Sequence, residues 1–347
     1  MAIILHRRDL LAGAAIALAA GTRLFADETG KEAQANWPNR AIFIPSHDKN
    51  ERAPVVSAIC VHPSGNLIAA AGDDHLVRIF DVATSKMLHQ LEGHTDWVRA
   101  LDFSNDGEKL VSVGQDGRVQ VWNASEGREV RQLHRIGTSL QSIKYSHDGK
   151  RLYAAGFDNL LRVLTAEEGH LKATWKCSSS DARAIAVSLD DSLVAAAGRD
   201  GVIRIWKQDG ELVHDLPSHH RRIRNLQFSK SGALLLSVGD DRILRVDDVV
   251  EPSKGFDLPP AEGKLLSLAV INEELVAAGA SNNKIYLWNI DTKEFVGELR
   301  AHTGSVAALA STPDSLVSAG YDASIRIWTV GENVASKPAA KLEVESR

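Results

Sequence analysis

Serine, histidine and aspartate, the residue types of acyl-transfer chemistry, recur in this chain at matched spacing. His94, Ser112 and Asp116 precede Trp122, and His302, Ser318 and Asp322 precede Trp328. A hydrolase would use such a trio as nucleophile, general base and orienting carboxylate, with the hydroxyl exposed beside an oxyanion site. The same groups also satisfy one another when buried: the carboxylate accepts from imidazole, the hydroxyl links onward, and the indole N–H donates. Recurrence favours this second role, because a catalytic set need not appear twice on one scaffold. Both sets are therefore read as structural hydrogen-bond sets, and no catalytic residue is expected. For the adjacent pair His219 and His220, in the loop leading into blade 5, one is expected to take the structural histidine's place and the other to face solvent. Neither has a carboxylate or cysteine at ligand spacing, so no metal site is expected. Cys60 and Cys177 form no CxxC or Cys/His pattern, which leaves zinc and c-type haem unsupported and reads both as small buried hydrophobes. No cofactor is expected.

The elements that must position these residues come from a repeat. Segments such as "SVGQDGRVQVWN", "AAGRDGVIRIWK" and "SAGYDASIRIWT" end in an aromatic slot occupied by Phe80, Trp122, Leu164, Trp206, Asp247, Trp288 and Trp328, at steps of 42, 42, 42, 41, 41 and 40 residues. Within a unit, "WVRALDF" alternates, "SNDG" turns the chain and "EKLVSVG" returns it. Period-two alternation broken by Gly/Asn/Asp turns predicts antiparallel strands. Four strands per unit, repeated about every 41 residues, suit a β-propeller.

The units resemble WD repeats over residues 41–331. A glycine stands eight residues before the slot in six units (Gly72, Gly114, Gly156, Gly198, Gly239 and Gly320), and in the remaining unit Gly279 stands nine before Trp288, read as one extra turn residue. Asp74, Asp116, Asp158, Asp200, Asp241 and Asp322 stand six before the slot, with Asn282 in the other unit. The resemblance implies an all-β, seven-bladed propeller of four-stranded antiparallel blades. Leu164 and Asp247 replace the slot aromatic, so blades 3 and 5 are expected to be the least regular. A buried aspartate there would be costly unless it turned outward, and rearrangement is expected near Asp247. The last unit lacks an outer strand, and "AIFIP" (residues 41–45) is expected to supply it as an N-terminal strand completing blade 7.

In WD-repeat proteins the loops around one mouth of the central channel carry partner contacts. Carried over by position, these are Ser57, Arg99, Gln141, Arg183, Arg224, Leu266 and Ala307, joined by Asp73, Gln115, Phe157, Arg199, Asp240 and Tyr321. Arginines and aromatics are enriched in binding hot spots. The expected partner-binding face is therefore Trp97, Arg99, Gln141, Phe157, Arg183, Arg199, Arg221, Arg222, Arg224 and Tyr321. Arginine recognises carboxylate or phosphate bidentately, so an acidic protein or peptide segment is the expected partner. The alternative is a solvated surface in which these arginines pair with nearby aspartates.

The chain's 347 residues are 44% apolar and 24% charged, ordinary for a globular protein, and the formal net charge of −5 gives no sign of a nucleic-acid-coating protein. The opening "HRRDLLAGAAIALAAGTRLFA" resembles a twin-arginine export signal, an address read by a receptor rather than part of the fold. Removing residues 1–26 would leave 37 basic and 44 acidic residues, a net −7. The expected organisation is a signal over 1–26, a linker over 27–40, the propeller over 41–331 and a disordered tail over 332–347. The functional expectation is a non-enzymatic interaction scaffold exported to the bacterial periplasm or envelope, without stable membrane insertion once the signal is removed. The alternatives are an enzyme using the channel mouth or a permanent subunit of an envelope complex. Those for location are an uncleaved N-terminal anchor or the cytoplasm.

Overall fold

The computed structural model describes residues 35, 37–45, 52–312 and 314–330. The expected export signal and C-terminal tail lie outside them. Seven four-stranded antiparallel sheets follow one another along the chain, each in the strand order inner to outer, as the all-β propeller requires. The inner strands contact their neighbours in sequence, and the last (Val306–Ser311) contacts the first (Val56–Val61), so the ring closes.

Each sheet buries both faces against its neighbours. Cluster after cluster of the core draws on two adjacent blades, as where Val77, Ile79 and Leu91 meet Val98, Leu110 and Trp122. Burial on both faces explains why middle strands such as "LVAAAG" (Leu193–Gly198) read as continuous apolar runs. The small alanines let neighbouring sheets approach, and the slot residues fill the wider outer space. Trp122, Trp206, Trp288 and Trp328 are all buried there.

The outer strand of blade 7 comes from the opposite end of the chain. Asn39–Phe43 pairs antiparallel with Ser324–Thr329, from Asn39↔Trp328 to Phe43↔Ser324. The strand thus begins two residues earlier than "AIFIP", inside the segment expected to be linker. The chain just before it is also engaged: the Ala35 N–H donates to the Glu298 carbonyl of blade 6 at 3.0 Å. Trp37 is buried among Leu275, Leu287, Leu316 and Trp328. Closure is therefore a clasp across two blades, and it leaves no open edge on blade 7's third strand.

Blade 5 departs as expected and blade 3 does not. Blade 3 keeps four strands of six residues each, with Leu164 filling the slot. In blade 5 the third strand (Leu244–Asp248) leads into a short 3-10 turn (Pro252–Lys254), and the outer strand shrinks to Phe256–Asp257. Asp247 does not turn outward. It stays buried, accepting from Arg245 Nε at 2.8 Å and Ser218 Oγ at 2.9 Å. A paired and hydrogen-bonded carboxylate avoids most of the desolvation penalty. Gly255 makes the space, since a Cβ there would overlap both Asp247 and Arg245.

Blade 6 corrects the expected insertion. Its register pairs Leu265 with Ala280, the place that glycine holds in the other six blades. Ala280 stands eight before Trp288, so the repeat length is preserved and Gly279 is not the equivalent residue.

Truncating Trp37 tests the clasp. Trp37→Ala is expected to cost about 3–5 kcal/mol, the usual range for emptying a buried indole site, read by urea denaturation. A loss below about 1 kcal/mol would contradict the clasp.

Candidate functional site at the channel mouth

The recurring polar residues meet as buried hydrogen-bonded sets. His94 Nδ1 lies 2.9 and 3.1 Å from the two Asp116 oxygens, and its Nε2 lies 2.7 Å from Ser112 Oγ. Ser112 Oγ also accepts the Trp122 indole N–H at 2.8 Å. His302, Asp322, Ser318 and Trp328 repeat the arrangement at 3.0, 2.7 and 2.8 Å. A third set completes the reading of the histidine pair: His219 meets Asp241 at 2.9 Å and Ser237 at 2.8 Å, while His220 is exposed. Ser237 and Asp241 were legible by spacing, since they stand ten and six residues before Asp247 as their counterparts do before tryptophan.

Taken alone, the imidazole contacts are those of a serine hydrolase. Accessibility and lone-pair use decide otherwise. Ser112, Ser237 and Ser318 are each 0% exposed. With Nδ1–H donated to aspartate, Nε2 accepts the serine proton, and in two sets the serine oxygen is also occupied by indole. These sets offer no exposed nucleophile.

What each set does is lock the loop between an outer strand and the next inner strand onto the following turn. Asp116 also accepts from the backbone of Thr95 at 2.9 Å and of Arg118 at 3.0 Å. In blade 4 the loop residue Ser178 donates to the turn residue Asp200 at 3.4 Å, and in blades 1, 3 and 6 the turn residue is bound from the third strand instead. Arg78 reaches Asp74 at 2.6 Å, Arg162 reaches Asp158 at 2.5 Å, and Asn282 donates to Tyr286 at 2.8 Å. Burial works to raise the Asp116, Asp241 and Asp322 pKa values, but their histidine and backbone hydrogen bonds outweigh it and hold all three below the ordinary range.

At the same end of the ring, every inner strand begins with a bulge. The register skips one residue per blade: Ser57, Arg99, Gln141, Arg183, Arg224, Leu266 and Ala307. These are the positions carried over from the resemblance, and the bulge sets them apart from the rest of the strand. An extra residue on one strand leaves the ladder and re-aims its side chain. Arg99, Gln141, Arg183 and Arg224 thereby line the mouth of a central channel of about 590 Å³, together with Tyr321.

The arginines are partly neutralised. Arg224 grips Asp240 through Nε at 2.8 Å and a terminal nitrogen at 3.1 Å, and Arg222 approaches the same carboxylate at 4.0 Å. Arg222 also meets Asp181 at 3.0 Å, whose other oxygen accepts from Arg183 Nε at 2.8 Å. Three arginines thus share two aspartates. Asp181 was absent from the sequence-based face, although its place two residues before Arg183 is the available signal. Arg199 and Arg221 are exposed and have no side-chain partner among the described residues. Arg99 lies over Trp97, 4.3 Å from the ring centroid, and Arg183 over Phe157 at 5.3 Å. Phe157 and Tyr321 are about half exposed. The ten expected face residues are therefore brought to one end of the ring, part ion-paired and part open.

Among the described residues no three His, Cys, Asp or Glu side chains gather as metal ligands, and no helix is long and apolar enough to cross a membrane. Both cysteines are free and buried. Burial pushes the Cys60 thiol well above its usual value and that of Cys177 up to about 12, so neither is a poised nucleophile.

Asp116→Ala is expected to cost roughly 1–3 kcal/mol at neutral pH by orphaning His94 and two backbone donors. Because the folded-state pKa is depressed, this contribution is present above the ordinary carboxylate value near 4 and is lost as pH falls through the lower folded value. Urea denaturation of wild type and variant should therefore converge in strong acid. A gap independent of pH would contradict the assigned ionisation.

The family model described as "WD domain, G-beta repeat" matches residues 42–81, 85–123, 169–207, 210–246 and 293–329, together more than half of the chain. Blades 3 and 6 are passed over, and the match in blade 5 stops one residue before Asp247. Among curated relatives, the WD repeat-containing protein 55 homolog of Drosophila ananassae is 25% identical over 142 residues, 40% of this chain and 28% of its own length. The nuclear distribution protein PAC1 of Coccidioides posadasii is 40% identical over 67 residues, 18% of this chain and 14% of its own. The probable serine/threonine-protein kinase PkwA of Thermomonospora curvata is 51% identical over 43 residues, 12% of this chain and 6% of its own, about one repeat. The chain thus spans less than a third of the length of these relatives. With the family model matched over five segments and seven four-stranded blades closed in a ring, the chain belongs to the WD40 repeat family.

Proposed function

We propose that this protein is a non-enzymatic interaction scaffold, exported to the bacterial periplasm or cell envelope, that holds an acidic segment of a partner protein across its channel mouth. WD-repeat proteins are typically scaffolds of this kind, which supports the general role. The observation that carries the choice of face is the arginine excess at the mouth of a chain whose net charge is −5. Guanidinium groups beside half-exposed aromatic rings offer an acidic segment both charge and apolar contact. The paired arginines at the start of the chain, Arg7 and Arg8, support export through a twin-arginine route.

Arg199 and Arg221 provide the cleaner test of the face, because reversing Arg183 or Arg224 would also break the ion pairs to Asp181 and Asp240. With immobilised full-length protein and an envelope fraction, Arg199→Glu with Arg221→Glu is expected to reduce partner capture about tenfold or more, with capture by wild type weakening as salt rises. Capture that is unchanged and insensitive to salt would contradict the reading. Replacing Arg7 and Arg8 together by lysine is expected to leave the protein in the cytoplasm on fractionation, and undiminished export would contradict the twin-arginine route.

A further inference from the structure

Three positions recur at the mouth in every blade: the residue before the first inner-strand residue, the bulge residue, and the residue after the second strand. Blade 5 fills them with Arg222, Arg224 and Asp240, and blade 4 with Asp181, Arg183 and Arg199. Across these two blades, arginine and carboxylate alternate as rungs. Arg224 binds Asp240, Arg222 stands between Asp240 and Asp181, and Asp181 binds Arg183.

The alternation stops at blade 3. There the same positions hold Ser139, Gln141 and Phe157, so a serine stands where Asp181 stands in blade 4. On the far side, blade 2 presents Arg99, which meets no carboxylate within ion-pair distance among the described residues. Its neighbours are the Trp97 ring and the amide of Gln115, whose oxygen accepts from Arg99 Nε at 3.1 Å when turned toward it. Gln141, whose Nε2 donates to Ser139 Oγ at 3.2 Å, stands between Arg99 and Arg183 in the ring order of bulge residues. A guanidinium stacked on an aromatic ring therefore borders the gap on each side.

We infer that this gap receives one carboxylate of a partner protein, an aspartate or glutamate side chain seated over Gln141 between Arg99 and Arg183. The inference rests on the proposed use of the mouth as the partner face and adds the group recognised there. The existing rungs of the series are planar carboxylates, which favours a carboxylate over a phosphoryl group as the missing one. Electrostatics agrees in part: burial lowers the pKa of both arginines, and Arg183 repels Arg99 as Arg222 and Arg224 repel Arg183, with Asp96 and Asp73 offsetting this at Arg99 and Asp181 at Arg183. An incoming anion relieves that repulsion.

The experiment uses full-length protein to select peptides from a random display library. Selected peptides are then made with fluorescein labels, and their acidic anchor is replaced by glutamine or phosphoserine. Two variants probe the gap from opposite directions. Ser139→Asp supplies the missing rung from within the chain, and Arg99→Gln removes one wall. The expected result is enrichment of peptides with a shared Asp or Glu. Fluorescence anisotropy should then show binding at least tenfold weaker on Glu→Gln replacement of the peptide anchor, and similarly weaker to both variants, with Ser139→Asp melting no lower than wild type. If Ser139→Asp fails to fold, Arg99→Gln carries the test alone. Enrichment without acidic residues, or binding unchanged in the variants, would overturn the carboxylate site. So would tighter binding of the phosphoserine peptide with competition by inorganic phosphate. A peptide that responds to Arg199 and Arg221 but not to Ser139→Asp or Arg99→Gln would leave the mouth as the partner face and remove only this site.

Discussion

The mouth of this propeller is built on one close backbone approach. At the end of the second strand in six blades the chain passes so near the carbonyl preceding the inner strand that a side chain has almost no room, and in blade 6 the small Ala280 takes the place. A Cβ at Gly156 would overlap the Ser139 carbonyl, and one at Gly198 the carbonyl of Asp181. In six blades the approach lets the next amide donate to that carbonyl, as Phe157 does to Ser139 at 3.0 Å, while in blade 4 the Arg199 amide donates to Ser179 Oγ at 3.1 Å. With that point pinned, the inner strand takes up its extra residue as a bulge, and the bulge side chain turns into the channel mouth. The same mechanism that ends a strand pair thus chooses which residue of each blade is offered for recognition.

Rigidity around the mouth comes from two further constraints. Buried histidine–aspartate–serine sets tie the entering loops to the turns in blades 2, 5 and 7, and a third-strand arginine or tyrosine holds the turn residue in blades 1, 3 and 6. Closure by Asn39–Phe43, with Trp37 laid against blade 6, holds the ring that sets the spacing between blades. A loop locked in its bound geometry loses little entropy on association. The fold therefore supplies a preorganised row of side chains whose identities vary freely from blade to blade.

Much of this was legible in the residues because a repeat reports its own register. The step of about 41 residues placed the strands, the slot tryptophans placed the core, and the positions of Arg99, Gln141, Arg183 and Arg224 followed from equivalence. The misreadings arose where a residue type was taken as the marker of a position. Gly279 seemed to signal an insertion, whereas hydrogen-bond register puts Ala280 in the glycine's place. Rearrangement was expected near Asp247 and occurs, but its form was not legible, because nothing in a linear pattern shows that Arg245 and Ser218 would converge on a buried carboxylate. Trp37 fell in an apparent linker, since its packing partners come from the other end of the chain. Counter-ions were hardest to read. Asp181 serves both Arg183, in its own blade, and Arg222, in the next, and only the ring brings that second pair together.

Hydrogen–deuterium exchange of the full-length protein tests most directly whether the bulges hold a rigid mouth. The amides of Asp73, Gln115, Phe157, Asp240, Ser281 and Tyr321 donate to the carbonyls of Val55, Trp97, Ser139, Arg222, Lys264 and Ser305. They should exchange as slowly as the amides paired between the first and second strands of each blade. Exchange of these amides at the rates of open loops would contradict a preorganised mouth.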